Sequence, residues 1–219
     1  MDFTPADTAI VITDPQNDVL KENGMVWGLV GPSIRTNNTV DNLERLMTSG
    51  KELGFGVFIS PHYYYPTDQK WQFGGPIETM MHDSHMFSRA GALDLTGFAG
   101  SGADWLDKLA PVINDGETVV TSPHKAFGPS TNDLVLQLRK RGIQKVILGG
   151  MLANLCVESH LRDLIEAGFE VAVVPDATAA PNHPELGDGN AAAAINFNFV
   201  ANQVLSTDQA IEAMKAATA

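Results

Sequence analysis

Short runs of apolar, largely β-branched residues recur along the chain, each ended by a polar or turn-forming residue. The first is Thr8–Thr13, closed by Asp14; Phe55–Ser60 is closed by Pro61, and Thr118–Thr121 by Ser122 and Pro123. Lys145–Leu148 runs into Gly149 and Gly150, Phe169–Val174 ends at Pro175 and Asp176, and Gln203–Leu205 is the last. Nearly continuous apolar runs of this length fit strands covered on both faces. Between them the apolar spacing changes to the helical period. Ile34, Val40, Leu43, Leu46 and Met47 share one face of a helix beginning near Pro32–Ser33, and Leu134, Val135 and Leu138 face inward on a helix around 131–141. Further helices are predicted from Cys156 to about Ala167, closed by Gly168, over 188–200, and after an N-cap at Ser206 or Thr207. Strand and helix alternate, which predicts an α/β fold. Its form is a three-layer α-β-α arrangement around a Rossmann-like open parallel sheet of about five to six strands, with right-handed crossovers.

One connection breaks the pattern. Residues 61–116 form too long a link for a simple loop and carry Tyr63, Tyr64, Tyr65, Trp71, Phe73 and Trp105. The reading is a single domain over 1–219 with a substrate-covering excursion at 61–116, including a helix around 101–110. In such sheets the site forms at the carboxyl ends of the strands.

Composition narrows the classes. The chain has 219 residues, 44% hydrophobic and 18% charged, which suits one folded domain with a substantial core. A net charge of −12 argues against nucleic acid or an anionic membrane surface as partner, since both need a basic footprint. No stretch approaches the roughly 20 apolar residues of a membrane span. The segment Met1–Asp7 has neither the basic nor the apolar region of a signal peptide, and a lone cysteine fits a reducing compartment, so a cytoplasmic location is expected. The expected partners are a small-molecule substrate and further copies of the chain in a homo-oligomer.

That lone cysteine, Cys156, lies where a strand gives way to a helix. Amide N–H groups at such a turn favour thiolate and can receive an oxyanion, so a lowered thiol pKa is expected. Two more chemical groups follow strand ends: Asp14 after the first strand and Lys125 after the third. A carboxylate suits proton transfer and an ammonium suits electrostatic anchoring of a thiolate. Asp14 could equally serve its Asp-Pro turn, and Lys125 could be solvated.

Three motifs stand in order: Asp14-Pro15-Gln16-Asn17-Asp18, then Lys125-x-Phe127-Gly128 with Asp133-Leu134, then Gly149-Gly150 with Asn154-Leu155-Cys156-Val157-Glu158-Ser159. Together they resemble the isochorismatase-like cysteine hydrolase superfamily, which also takes in nicotinamidases and other small-amide hydrolases, over about residues 8–180. The resemblance implies a catalytic triad of Asp14, Lys125 and Cys156, and a non-proline cis peptide at Met151–Leu152. It also implies an oxyanion hole from the amides of Leu152 and Cys156. Gln16, His62, Tyr63, Tyr65, Trp71, Phe127 and Met151 are the expected substrate-contacting set. Nicotinamidase-like members place a metal at Asp-x-His after the second strand; here Ser60-Pro61-His62 stands there, so a metal-free site without cofactor is expected. Vinyl-ether-cleaving isochorismatases lack the cysteine, so Cys156 favours hydrolysis of a small amide or related C–N bond through a thioester.

The remaining candidates carry less. His82 and His85 read as a surface loop, and a Cys156–His160 dyad would place the imidazole a turn too deep. Gly149-Gly150 matches neither phosphate-loop pattern, which excludes nucleotide binding on that ground. A vinyl-ether hydrolase or a catalytically silent binding member of the family stays open as an alternative.

Overall fold

The computed structural model describes residues 1–218. Six parallel strands make the central sheet in the order β3-β2-β1-β4-β5-β8. They are β1 (Thr8–Thr13), β2 (Gly56–Ser60), β3 (Val119–Val120), β4 (Lys145–Met151), β5 (Glu170–Ala179) and β8 (Gln203–Val204). A two-stranded hairpin of β6 (Asn182–His183) and β7 (Gly187–Asp188) lies apart from them. The helices are α1 (Asn17–Leu20), α2 (Trp27–Asn37), α3 (Thr39–Glu52), α4 (Pro76–Asp83), α5 (Ala110–Ile113), α6 (Leu134–Lys140), α7 (Glu158–Glu166), α8 (Gly189–Val200) and α9 (Thr207–Ala216).

The period-2 alternation of β1 divides the core between two layers. Ile10 and Ile12 join Ile34, Leu43, Leu46, Met47, Ile211 and Met214 from α2, α3 and α9. Ala9 and Val11 face the other way and pack with Leu134, Leu138, Leu161, Leu164 and Phe197 from α6, α7 and α8. Both faces are therefore covered, which is why β1 shows no polar alternation. The three-layer α/β fold expected from the sequence is the one formed.

Several boundaries differ. The helix expected from Pro32 is two helices, because Asn38 sits at φ +53, a left-handed turn that asparagine tolerates, and α3 leaves in a new direction. The helix expected at 101–110 is a chain of turns followed by the short α5, while α4 forms within the excursion where none was predicted. Ser206 caps α9, its hydroxyl accepting from the Gln209 amide. Strand β1 lies between β2 and β4, so the chain leaves it on opposite sides, and a crevice opens at the carboxyl ends of β1 and β4.

Candidate active site

Asp14 follows the last residue of β1 and is almost fully buried. Its backbone is at φ +49, tied by its N–H to the Ser60 carbonyl of β2. Neighbouring β4 approaches unusually closely: Gly150, at φ +113, leaves no room for a side chain, since a Cβ there would meet the Thr13 carbonyl oxygen at 2.2 Å. Thr13 Oγ1 then donates to the Met151 carbonyl at 3.0 Å. Two apolar strands thus bring Asp14 beside the turn that carries the cysteine.

That turn begins with a cis peptide at Met151–Leu152, as the resemblance implies, and continues as a π-helical turn over Ala153–Val157 before α7. Cys156 lies on the π turn, a local geometry that recurs at functional sites. The backbone amides of Leu152 and Cys156 act to lower its thiol pKa. They do not produce the low thiol pKa expected from the sequence. Burial, then the charge of Asp14 and a hydrogen bond to it, push the Cys156 thiol well above its ordinary value, outweighing the two amides.

Lys125 is not brought to this pair. Its ammonium donates to Asp68 Oδ2 at 2.5 Å and to the Tyr63 carbonyl at 2.7 Å, above the Tyr65 ring. Burial lowers its pKa against the opposing effect of Asp68. His124, one residue earlier, is fully buried, and its Nε2 donates to Asp14 Oδ1 at 2.7 Å. The segment after β3 runs extended beside the end of β2, with the His124 N–H donating to the Pro61 carbonyl and a parallel bridge pairing His62 with His124. Side chains of an extended segment alternate, so a one-residue offset turns histidine inward and lysine outward. The adjacent pair of titratable residues was visible in the sequence; which of them faced in was not.

His160 serves the backbone of the cysteine's turn, not its thiol. Its Nδ1 donates to the Cys156 carbonyl at 2.7 Å, since a carbonyl can only accept, leaving Nε2 to accept from Ser60 Oγ at 2.8 Å. Asn132 Nδ2 donates in turn to that hydroxyl at 2.9 Å. Burial first, then neighbouring His124, lowers the His160 pKa to about 3, so the ring stays neutral. Ser60, which stands at the position of the carboxylate in the nicotinamidase-like metal motif, is a link in this hydrogen-bonded series.

A small cavity of about 60 Å³ opens above Cys156, with Asp14, His62, Leu152 and Phe127 among its walls. The excursion contributes Ile77, Met80, Met81, Met86 and Phe87, and Val30 comes from α2. Among the described residues, no lysine or arginine lines it. Asp18 Oδ2 accepts from the Phe87 N–H at 2.7 Å and so holds one wall. Of the expected substrate-contacting set, His62 and Phe127 reach this cavity. Gln16 is fully committed elsewhere: its amide donates to the His62 and Ala103 carbonyls and accepts from the His62 N–H. Tyr63 packs under Arg89 and beside Phe98, Tyr65 lies under Lys125, Trp71 borders a separate polar groove, and Met151 is buried in the core. Methionines replace the expected tyrosines because the chain doubles back: the Tyr64 N–H donates to the Phe87 carbonyl, which sets 86–87 over the site.

Four side chains here could also serve as ligands. Asp14, His62, His124 and Cys156 each offer a donor atom, all within 4.8 Å of one another.

Among the described residues, no helix is long and apolar enough to cross a membrane. The ureidoacrylate amidohydrolase RutB of Klebsiella pneumoniae is 28% identical to the chain over 185 residues, covering 81% of this chain and 75% of the relative. A cysteine hydrolase from Pseudomonas syringae pv. phaseolicola shares the fold with a TM-score of 0.80 at 18% identity, covering 99% of this chain and 96% of that one. N-carbamoylsarcosine amidase from Thermoplasma acidophilum superposes with a TM-score of 0.66 at 20% identity, covering 92% and 97%. The isochorismatase domain model matches residues 8–209, nearly the whole sheet and both helical layers, and the chain belongs to the isochorismatase family.

Proposed function

We propose that the protein is an amidohydrolase that cleaves a small, neutral, apolar amide or related C–N bond through a Cys156 thioester. The observation that carries this reading is the meeting of Cys156 and Asp14 at one wall of an otherwise apolar cavity, their donor atoms within 4.8 Å. The RutB likeness supports amide chemistry. The cavity supports a different substrate, because ureidoacrylate carries a carboxylate and no cationic side chain lines the walls to receive it.

In the mechanism, the Cys156 proton passes to Asp14 as the sulfur attacks the substrate carbonyl, and the oxyanion is received by the Leu152 and Cys156 N–H groups. Asp14 then protonates the departing nitrogen, the C–N bond breaks and the thioester remains. Water attacks the thioester as Asp14 takes its proton, which returns to sulfur as the acid leaves. His124 is a positioning residue: its hydrogen bond holds Asp14 in one orientation. The excursion at 61–116 acts as the substrate cover, through its Met80, Met81, Met86 and Phe87 wall.

We extend the reading to self-association, which the exposed Leu186, Ile195 and Phe199 near and on α8 support, and to a cytoplasmic setting for the single free thiol. Light scattering of the purified chain tests the first.

The deciding experiment is ammonia or amine release from a panel of short aliphatic and aromatic amides, each paired with a carboxylated analogue. The wild type should prefer the neutral member, Cys156→Ala should be inert, and rapid-quench mass spectrometry should find an acyl group on Cys156. Turnover retained by Cys156→Ala would remove the proposal in favour of thiol-independent chemistry.

A further inference from the structure

His62 presents an unusual balance. Its ring is fully buried, stacked on Phe87 with centroids 4.7 Å apart and tilted against His124 at 4.6 Å. Yet neither ring nitrogen has a hydrogen-bond partner among the described residues, and Nδ1 of His124 has none either. An unpaired buried polar atom costs about 1–3 kcal/mol, so a side chain with two of them is held for something it binds. Gln16 clamps the His62 backbone on both its N–H and its carbonyl, which fixes the ring where it is.

We propose that Asp14, His62, His124 and Cys156 form a four-ligand site for a thiophilic divalent cation, zinc above all, and that its occupancy holds the enzyme in a reversible inactive state. The donor set carries the choice of ion. One thiolate, two imidazoles and one carboxylate suit zinc, whereas magnesium and calcium call for oxygen ligands. Charge agrees: a divalent cation with one thiolate, one carboxylate and two neutral imidazoles is neutral overall, as an apolar cavity requires. Geometry agrees as well. Zinc bond lengths of about 2.0–2.3 Å place tetrahedral donors about 3.3–3.8 Å apart. The four donors already lie within 4.8 Å, so modest side-chain rotations close the shell.

A shell closed by four protein ligands leaves no position for water or substrate, which is the mark of a non-catalytic site. Binding replaces the Cys156 S–H bond with a sulfur–metal bond and releases that proton to solvent. The nucleophile is then unavailable until the cation leaves. The sequence points to a metal-free site because Ser60 replaces one familiar ligand; the fold assembles a different set from four separate segments. The binding inference stands on the geometry alone, while its inactivating effect rests on Cys156 being the nucleophile.

The test uses the whole chain with Zn²⁺ and Co²⁺ as probes. Competition against a chromogenic chelator should give one tightly held Zn²⁺ per chain. Co²⁺ should produce a thiolate-to-cobalt charge-transfer band and the intense visible bands of a tetrahedral site. One equivalent of Zn²⁺ should abolish amide turnover, and a chelator should restore it. His62→Phe keeps the stacked ring without its nitrogens and should weaken Zn²⁺ binding at least ~10²-fold, since changes outside the ligand shell already reach that scale. Cys156→Ser should remove the charge-transfer band, and circular dichroism of both variants verifies folding. Absence of stoichiometric binding, or binding indifferent to both substitutions, overturns the inference even if Cys156→Ala is inert. Stoichiometric binding with turnover intact overturns the inactive state and, with it, the thiol nucleophile.

Discussion

Exchanging the roles of two adjacent residues gives the sharpest test of the site. His124→Ala removes the donor at 2.7 Å from Asp14 Oδ1, in a pair whose side chains are 0% and 3% exposed. A hydrogen bond to a charged group contributes about 1.5–3 kcal/mol, or roughly 10- to 150-fold at 1.4 kcal/mol per tenfold. In the proposed mechanism Asp14 also loses its fixed orientation for proton transfer, a process that contributes about 10²–10⁴. The expected fall in kcat/KM is therefore about 10²–10³, carried mainly by kcat. His124→Gln, which keeps an N–H donor near the same place, should recover part of it. Lys125→Met has the opposite profile. It breaks the pair with Asp68, whose carboxylate still accepts from the Tyr65 N–H at 2.8 Å, and leaves the cavity walls untouched. A loss of about 1–2 kcal/mol of stability is expected for this partly shielded pair, lowering Tm by roughly 2–8 °C at this chain length. kcat/KM should change less than ~5-fold. The assay is steady-state hydrolysis of the best amide beside thermal unfolding of each variant. If Lys125→Met were as inert as Cys156→Ala while His124→Ala kept near-normal turnover, the assignment of the anchor to His124 would be refuted.

Three more outcomes follow from particular contacts. Because burial and Asp14 raise the Cys156 thiol, its alkylation by a haloacetamide, read by intact mass, should keep climbing with pH beyond the free-thiol range near ~8.5. Asp14→Asn removes the neighbouring charge and should bring the inflection down; a plateau below pH 8 in the wild type would contradict this account. Gly150→Ala drives a Cβ into Thr13 at a backbone φ of +113, so urea denaturation should show a loss of about 2–5 kcal/mol, and an unchanged midpoint would mean that the strands are not so close. Asp7 loses some charge stability through burial, but hydrogen bonds from Lys145, Thr8 and Thr4 prevail and hold its carboxyl at about 2 instead of 3.8. Its folded pKa is the lower one, so its contribution is present above about pH 4 and disappears as pH falls toward 2. After solvent screening that contribution is about 1 kcal/mol or less, so Asp7→Asn should lower stability slightly at pH 7 and not at all near pH 2.

Much of the architecture is legible in the chain because strand burial is a local pattern. Thr8–Thr13 reads as a strand covered on both sides from its residues alone, and its ends match the structure. A continuous apolar run likewise marks the start of β5, which the structure carries past Pro175 to Ala179, and the N-cap reading at Ser206 finds the start of α9. Asp14 and Cys156 were also legible, since a polar group just beyond a buried strand has little to do in packing and stands where α/β sheets place their sites. Less was visible where the chain lacks periodicity: α4 and the turns at 101–106 lie in the excursion, whose course is set by contacts with distant segments.

Side-chain direction and environment belong to the tertiary structure. Whether His124 or Lys125 faces Asp14 depends on how the segment after β3 registers against Pro61, a pairing between residues some sixty positions apart. The thiol pKa depends on the balance between burial beside Asp14 and two backbone amides, and that balance exists only once β1 and β4 close on each other. The pairing of β1 with both β2 and β4, and of β2 with β3, gathers Asp14, His62, His124 and Cys156 from four separate segments into one cluster. A sequence records which groups follow which strands; their facing, distance and solvation are decided by long-range packing, because those properties belong to the space between segments.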